Sequence, residues 1–441
     1  MTQPDQASQQ THAFSYARLR VAVVGGGIGG VALAIGLGRA ADLDVRLYEA
    51  ANAFSEIGAG VSFGPNAVRA IERLELKAPY SDIADGSPAP FEDVWFEWRR
   101  WHDDNYLTAS LAPGCGQSSV HRADFLDAIV AHLPEGIAHF GKRLASVDQD
   151  DHGCRLEFTD GSHAEADIVI GFDGIKSVVR EHVLPPQEYG YLGPRYSGTE
   201  AYRGMIETGA LAQAFEAAGV EPRLARVPQM YLGPDRHVLT FPVKGAELVN
   251  VVAFVTDRRA TRFTPAGDAP WVVETSQQQM LDDFPGWGPA TRTILGLIEA
   301  PTRWALHDIA PLPHYRRDRV LLVGDSAHAM LPHQGAGAGQ ALEDAYVLSE
   351  LLADPRCDRS SVEDVLAAFE TVRRPRASRV QTTSFEAGEL YEYAAPGIGD
   401  DEARIARELE QRFDWLWQHD PEDDVIASRR QLGWAEAKAE R

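Results

Sequence analysis

The chain has 441 residues, of which 44% are hydrophobic and 24% charged, with 39 glycines and 26 prolines. This length and balance exclude a small disulfide-stapled module, a fibrous repeat and a disordered chain, and predict two or three packed domains. Lys and Arg number 42 against 65 Asp and Glu, a net charge of −23, so the average surface repels nucleic acid and anionic membrane, and a bound anion needs a local positive group.

The opening MTQPDQASQQTHAF lacks the cationic start and apolar stretch of a secretory signal and reads as a loose arm. Leu19 to Val24 then reads as a buried strand, Gly25 to Gly30 as a sharp turn, Gly29 to Ala40 as a helix and Val45 to Tyr48 as a second strand, a βαβ start. The apolar run across this unit is rich in glycine and stops at Arg39, so no transmembrane helix is predicted. A glycine-rich loop leads to a helix beginning near Pro65, and Arg122 to His132 supplies another. Strand-like alternation marks FEDVWFEW, the stretch from Cys154 to Gly174, and YRGMIE, MYLGPDRHVLTFPV and LVNVVAFVTDR, which together predict an inserted antiparallel sheet. A connector and a helical segment around Val273 to Phe284 follow. Arg319 to Val323 returns to a buried strand, Ala338 to Leu352 is helical, and Val362 to Val380 and Asp400 to Trp417 read as helices, the last ending in the polar turn QHDPEDD.

The nucleotide motif is the strongest local signal. Gly25, Gly27 and Gly30 form GxGxxG after a strand, and Glu49 ends the next strand about twenty residues on. The glycines permit a tight turn, backbone approach to a pyrophosphate and close helix packing, while the acid can accept a ribose hydroxyl. Two further turns follow strands: Asp173 and Gly174 in DIVIGFDG, and GDSAHAMLPHQGAGAGQALEDA, where Asp325 precedes Gly335, Gly337 and Gly339. Cys115, Cys154 and Cys357 lie far apart, form no CxxC pair and fit a reducing cytoplasm. The histidines form no metal-ligand motif, so no metal is expected.

These three motifs, in this order, resemble the single-component flavoprotein aromatic monooxygenases from Arg20 to about Arg379. The resemblance implies an α/β fold: a discontinuous Rossmann-like FAD-binding domain (19–90, 121–190 and 301–355), an inserted mainly antiparallel β-sheet substrate domain (91–120 and 191–300) and a C-terminal helical region (356–441). It further implies FAD as cofactor, NADH in preference to NADPH as reducing cosubstrate, O2, and salicylate or a related aromatic carboxylate as substrate. Asp325 is then expected near the ribityl chain, Gly335, Gly337 and Ala338 near the flavin and pyrophosphate, Arg122 on the flavin chain, Val61 near the flavin ring, and Asp173 in the central cofactor turn.

His333, in the segment that faces flavin and substrate in this family, is the expected catalytic residue, because a neutral imidazole can take the phenol proton. His328 is expected to orient the loop. The resemblance makes Arg258 the expected carboxylate anchor, with Arg259 as its competitor. Phe96, Trp98 and Met230 are candidates for the aromatic slot, although alternating core residues look the same. The Arg373 to Arg376 region reads as structural ion pairing.

The implied reaction is ring hydroxylation at the carboxyl-bearing carbon with loss of carbon dioxide, leaving catechol. Two alternatives stand beside it: hydroxylation of another hydroxybenzoate or hydroxylated heteroaromatic acid without decarboxylation, and a noncatalytic FAD-binding redox sensor or scaffold. No nucleic-acid or membrane partner is expected, and the chain fits a monomer or homodimer.

Overall fold

The computed structural model describes residues 17–55, 60–260 and 262–434; the loose arm expected at the N-terminus lies outside them. A six-stranded sheet carries the nucleotide motif. Its central strand Leu19–Val24 pairs in parallel with Leu43–Tyr48 on one side and Ile168–Gly171 on the other, and Val320–Leu322 extends it in parallel. These strands come from distant parts of the sequence, so this layer of the molecule is discontinuous. Leu19–Val24, Ile168–Gly171 and Val320–Leu322 are nearly continuous apolar runs, whereas Leu43–Tyr48 alternates, with Asp44 and Arg46 half-buried. The helix Ile28–Leu37 packs along the helix Gly337–Leu352, and both are almost wholly buried.

The second sheet has nine strands. All its pairings are antiparallel except that of Gln229–Gly233 with Val94–Arg100, which brings the early pair Val94–Arg100 and Tyr106–Leu111 into a sheet otherwise built from residues 195–308. Its cross-strand registers set one row of side chains: Arg203 opposite Val252, Val252 opposite Leu239, Leu239 opposite Met230, and Met230 opposite Trp98. Phe254 and His237 form the neighbouring row, two residues away and so on the same face.

The C-terminal part departs from the expectation in three ways. The helix beginning at Val362 continues to Tyr391, 30 residues in all, straight through Pro375. Burial explains its length. Its first half contributes Val365, Leu366 and Phe369 to the core of the first sheet, while its second half contributes Val380, Ala387 and Tyr391 to the core of the second. The expected helix from Asp400 to Trp417 is two helices, Glu402–Gln411 and Asp414–Trp417. The polar turn QHDPEDD instead opens the helix Pro421–Gln431, because the Asp420 carboxylate caps it and Pro421 occupies its first turn. Similarly, the segment expected to be helical from Val273 begins as the strand Val272–Glu274, and only Gln277–Asp282 is helix.

A buried ion network joins these helices. Arg373, fully inaccessible, pairs with Glu343 (2.8 Å), Asp344 (2.9 Å) and Asp424 (2.8 Å), and Arg376 also reaches Glu343 (2.7 Å). Among the described residues no helix is long and apolar enough to cross a membrane.

Candidate functional site

A cavity of 810 Å³ lies between the two sheets. At one end it is walled by the backbone of Gly25, Gly27 and Gly30. The turn requires glycine here: a Cβ on Gly30 would lie 2.0 Å from the Gly25 carbonyl oxygen, and one on Gly25 would lie 2.3 Å from that of Phe172. Glu49 lines the same end, and its carboxylate accepts the N–H groups of Gly26 (2.7 Å) and Ala51 (2.6 Å), which fixes the turn against the second strand.

Asp173 also lines the cavity, but its carboxylate serves the neighbouring helix. It accepts the Ser177 hydroxyl (2.5 Å) and the N–H groups of Val178 (2.7 Å) and Val179 (3.1 Å), while burial pushes its carboxyl upward. Asp325 begins a short helix at the end of Val320–Leu322, with Gly335, Gly337 and Ala338 facing the same space, and Val61 and Arg122 complete this part of the wall. The following Ser326 hydroxyl donates to the Gly171 carbonyl (2.6 Å), tying two strands together below the site. This bare glycine backbone, with a cationic group close by, fits the pyrophosphate and ribityl chain of FAD.

At the other end, Met230, Leu239, Val252, Phe254, Phe96 and Phe241 form an apolar floor, in keeping with the alternation of their strands. His333 closes this end on the short turn Pro332–Gln334, which stops at Gly335 in a left-handed conformation (φ 62°). The long helix holds the loop in place. Ser384 donates to the Leu331 carbonyl (2.6 Å), and Gln381 donates to that of Ala329 (3.0 Å). Burial, reinforced by His237, pushes the His333 imidazolium down to about 3, so the ring is neutral at physiological pH. His328 does not line the cavity. Its Nε2 meets Asp344 at 2.7 Å in the buried core.

Two expected substrate residues are displaced. Arg258 does not line the cavity, because its guanidinium is enclosed by Asp235, Glu389 (2.9 Å) and Glu392 (2.8 Å). Arg259 is exposed on the turn. Trp98 belongs to the floor's row, yet Tyr391 and Phe413 cover it and its indole donates to Ser110 (2.9 Å), so it is core. The wall instead offers Arg203, which the sequence reading passed over. Its guanidinium sits 4.4 Å from the Trp304 ring centroid and its Nε is buried without a hydrogen-bond partner. Burial, with Arg122 adding repulsion, pushes it down to about 10, which leaves it cationic. A charged residue at an inward position of YRGMIE was the available signal. Lys176, Trp271 and His307 were also missed. They form a stack on the same wall, with the Lys176 ammonium 4.1 Å from the Trp271 ring and His307 3.8 Å from it.

Comparison with known proteins agrees with this geometry. Residues 290–384 match the FAD binding domain family model. A salicylate hydroxylase from Pseudomonas putida is 56% identical over 94% of this chain and 96% of its own length. A 6-methylsalicylate 1-monooxygenase from Aspergillus terreus is 39% identical over 92% of this chain and 90% of its own length. A solved salicylate hydroxylase substrate complex superimposes with a TM-score of 0.88 at 49% identity, covering 94% of this chain and 98% of that one. With a glycine cradle, a closed aromatic floor and this extent of identity, the chain belongs to the salicylate hydroxylase family of FAD-dependent monooxygenases.

Proposed function

We propose that the protein converts salicylate to catechol and carbon dioxide, using FAD, NADH and O2. The observation that carries this reading is the neutral, buried His333 set beside an apolar sheet floor, with the cationic Arg203 on the same cavity wall. Gly25, Gly27, Gly30, Glu49, Arg122, Asp325, Gly335, Gly337 and Ala338 hold FAD, with Val61 near the ring and Asp173 shaping the turn. When bound, FAD would supply the redox chemistry, taking a hydride from NADH and activating O2 for electrophilic attack on the aromatic ring.

The chain's own residues prepare the substrate. Arg203 attracts the carboxylate, replacing Arg258 in that role, because a partly desolvated guanidinium binds an anion more strongly than one already shared among three carboxylates. His333 accepts the phenol proton, which raises electron density on the ring. Phe96, Met230 and Phe254 hold the ring flat and exclude water. Hydroxylation at the carboxyl-bearing carbon leaves a ring that regains aromaticity by losing carbon dioxide. The three free cysteines are in keeping with a reducing cytoplasm.

The test is aerobic turnover of the FAD-loaded protein with NADH and salicylate, following NADH, O2, peroxide, carbon dioxide and organic product together. Catechol with matching carbon dioxide is expected. A hydroxylated product that keeps its carboxylate, or peroxide release without hydroxylation, overturns the reading.

A further inference from the structure

The glycine cradle at one end of the cavity fits FAD, and the apolar floor beside His333 suits the aromatic acid. The stack of Lys176, Trp271 and His307 lines the same cavity and belongs to neither. Lys176 follows the central cofactor turn at Asp173 and Gly174, Trp271 leads into the edge strand Val272–Glu274, and His307 stands on the neighbouring strand Thr302–Asp308. The Trp271 carbonyl accepts the Ala305 N–H (2.8 Å), and the Ala305 carbonyl meets His307 Nδ1 (2.9 Å), so one short stretch of strand fixes both rings. The two rings are 3.8 Å apart and within 14° of parallel. A ring that close leaves no room for an ammonium over the same indole face, so Lys176, at 4.1 Å, covers the other. Burial, with Lys176 adding repulsion, pushes the His307 imidazolium down, so it stacks as a neutral ring.

Lys176 is exposed, while Trp271 and His307 are half-buried, so the stack stands where the cavity opens to solvent. Among the described residues Lys176 has no acidic partner within salt-bridge distance, in a chain with 65 acidic residues. It rests instead on the indole, whose negative face attracts it. A cation without an acidic partner, laid over a flat ring, is complementary to a ligand in which an anion is joined to a flat base. The reaction requires one such ligand besides FAD. The sequence holds a single GxGxxG, at Gly25, Gly27 and Gly30, so a second dinucleotide needs contacts of another kind.

We propose that Lys176, Trp271 and His307 form the docking site for the adenosine diphosphate half of NADH. This rests on NADH being the reductant of the proposed salicylate reaction. Lys176 swings from the indole to the diphosphate, where it gains charge-assisted hydrogen bonds. The indole face it leaves takes the adenine, and His307 supports the indole from behind. The net charge of −23 repels a diphosphate from the rest of the surface, so a local cation also directs where the dinucleotide lands. One exposed ammonium and one stacking face give modest affinity, which suits a cosubstrate that leaves in every turnover. Salicylate also joins an anion to a ring, but Arg203 and the apolar floor already serve those two groups deeper in the cavity.

The test uses the FAD-loaded enzyme with salicylate and without oxygen, and follows flavin bleaching by NADH after rapid mixing. Lys176→Gln is expected to raise the half-saturating NADH concentration by about tenfold. Because Lys176 is exposed, FAD content and the salicylate Kd are expected to stay within about twofold. Trp271→Ala is expected to raise the half-saturating concentration by about tenfold as well, and Trp271→Phe to restore most of the loss. Titration with ADP-ribose, which carries the adenine and diphosphate but no hydride, is expected to show the same losses. Added salt is expected to weaken ADP-ribose binding in the wild type and to have less effect in Lys176→Gln. If Lys176→Gln keeps the wild-type NADH saturation and ADP-ribose affinity, the docking site is overturned while salicylate hydroxylation stands. A rise in the salicylate Kd in their place also overturns it, and makes the stack an entry point for the aromatic acid. A wild-type enzyme that NADH does not reduce overturns the NADH-dependent activity itself.

Discussion

The ring of His333 lies against Gly388 of the long helix so closely that a Cβ at residue 388 would come within 2.6 Å of the histidine Cδ2 and 2.7 Å of its Nε2. The helix that joins the two cores therefore also sets the position of the expected catalytic ring, and it can do so only with a glycine facing that ring. Gly388→Ala is expected to displace His333 and lower kcat by at least about tenfold, with FAD retained. Steady-state turnover beside the flavin absorbance of the purified variant checks this.

Arg203 and Arg258 make opposite predictions. Arg203→Gln is expected to raise KM for salicylate by about 10- to 100-fold and to affect the uncharged analogue salicylamide much less. Arg258→Gln frees Glu389, Glu392 and Asp235 from their shared cation, so it is expected to lower stability without changing the preference for the acid over the amide. Binding titrations with both ligands separate the two residues.

Gly30→Ala places a methyl group 2.0 Å from the Gly25 carbonyl oxygen, a clash between backbone segments that no rotamer relieves. Expression without bound FAD is expected, and failure of added FAD to restore the flavin spectrum is the measurement.

Arg373→Met leaves Glu343, Asp344 and Asp424 without the cation they share. Removing one partner of a buried ion network costs about 3–5 kcal/mol, and denaturant unfolding of the holoprotein is expected to show a loss of that order.

Acid sensitivity follows from the two buried imidazoles. His237 and His333 are pushed from 6.5 to about 3 in the folded protein, in both cases chiefly by burial. Below 6.5 the unfolded chain binds protons that the folded chain refuses, so stability is full above that pH and declines as pH falls toward 3. Each imidazole contributes a slope of about 1.4 kcal/mol per pH unit. Unfolding free energies measured between pH 7 and pH 5 are expected to decline accordingly, and less steeply in His237→Gln.

The sequence alone determined the features that depend on short-range chemistry. Gly25, Gly27 and Gly30 with Glu49 marked the cofactor cradle because a backbone turn that admits phosphate requires glycine in a fixed spacing. Alternation marked the strands from residue 200 onward and left Phe96, Trp98 and Met230 as equal candidates for the aromatic slot. His333 stood out through the motif around it. Tertiary structure decided what lies beside those residues. Arg258, at a strand end, looked as available as any arginine, but Glu389 and Glu392 arrive from a helix more than a hundred residues later and enclose it. Trp98 follows the floor's register yet is covered by Tyr391 and Phe413 from the C-terminal helices. Arg203 and Gly388 come to lie beside the cavity and beside His333 in the same way. Charge, burial and close contact are set by neighbours in space, and for this chain those neighbours come from segments that no local pattern connects.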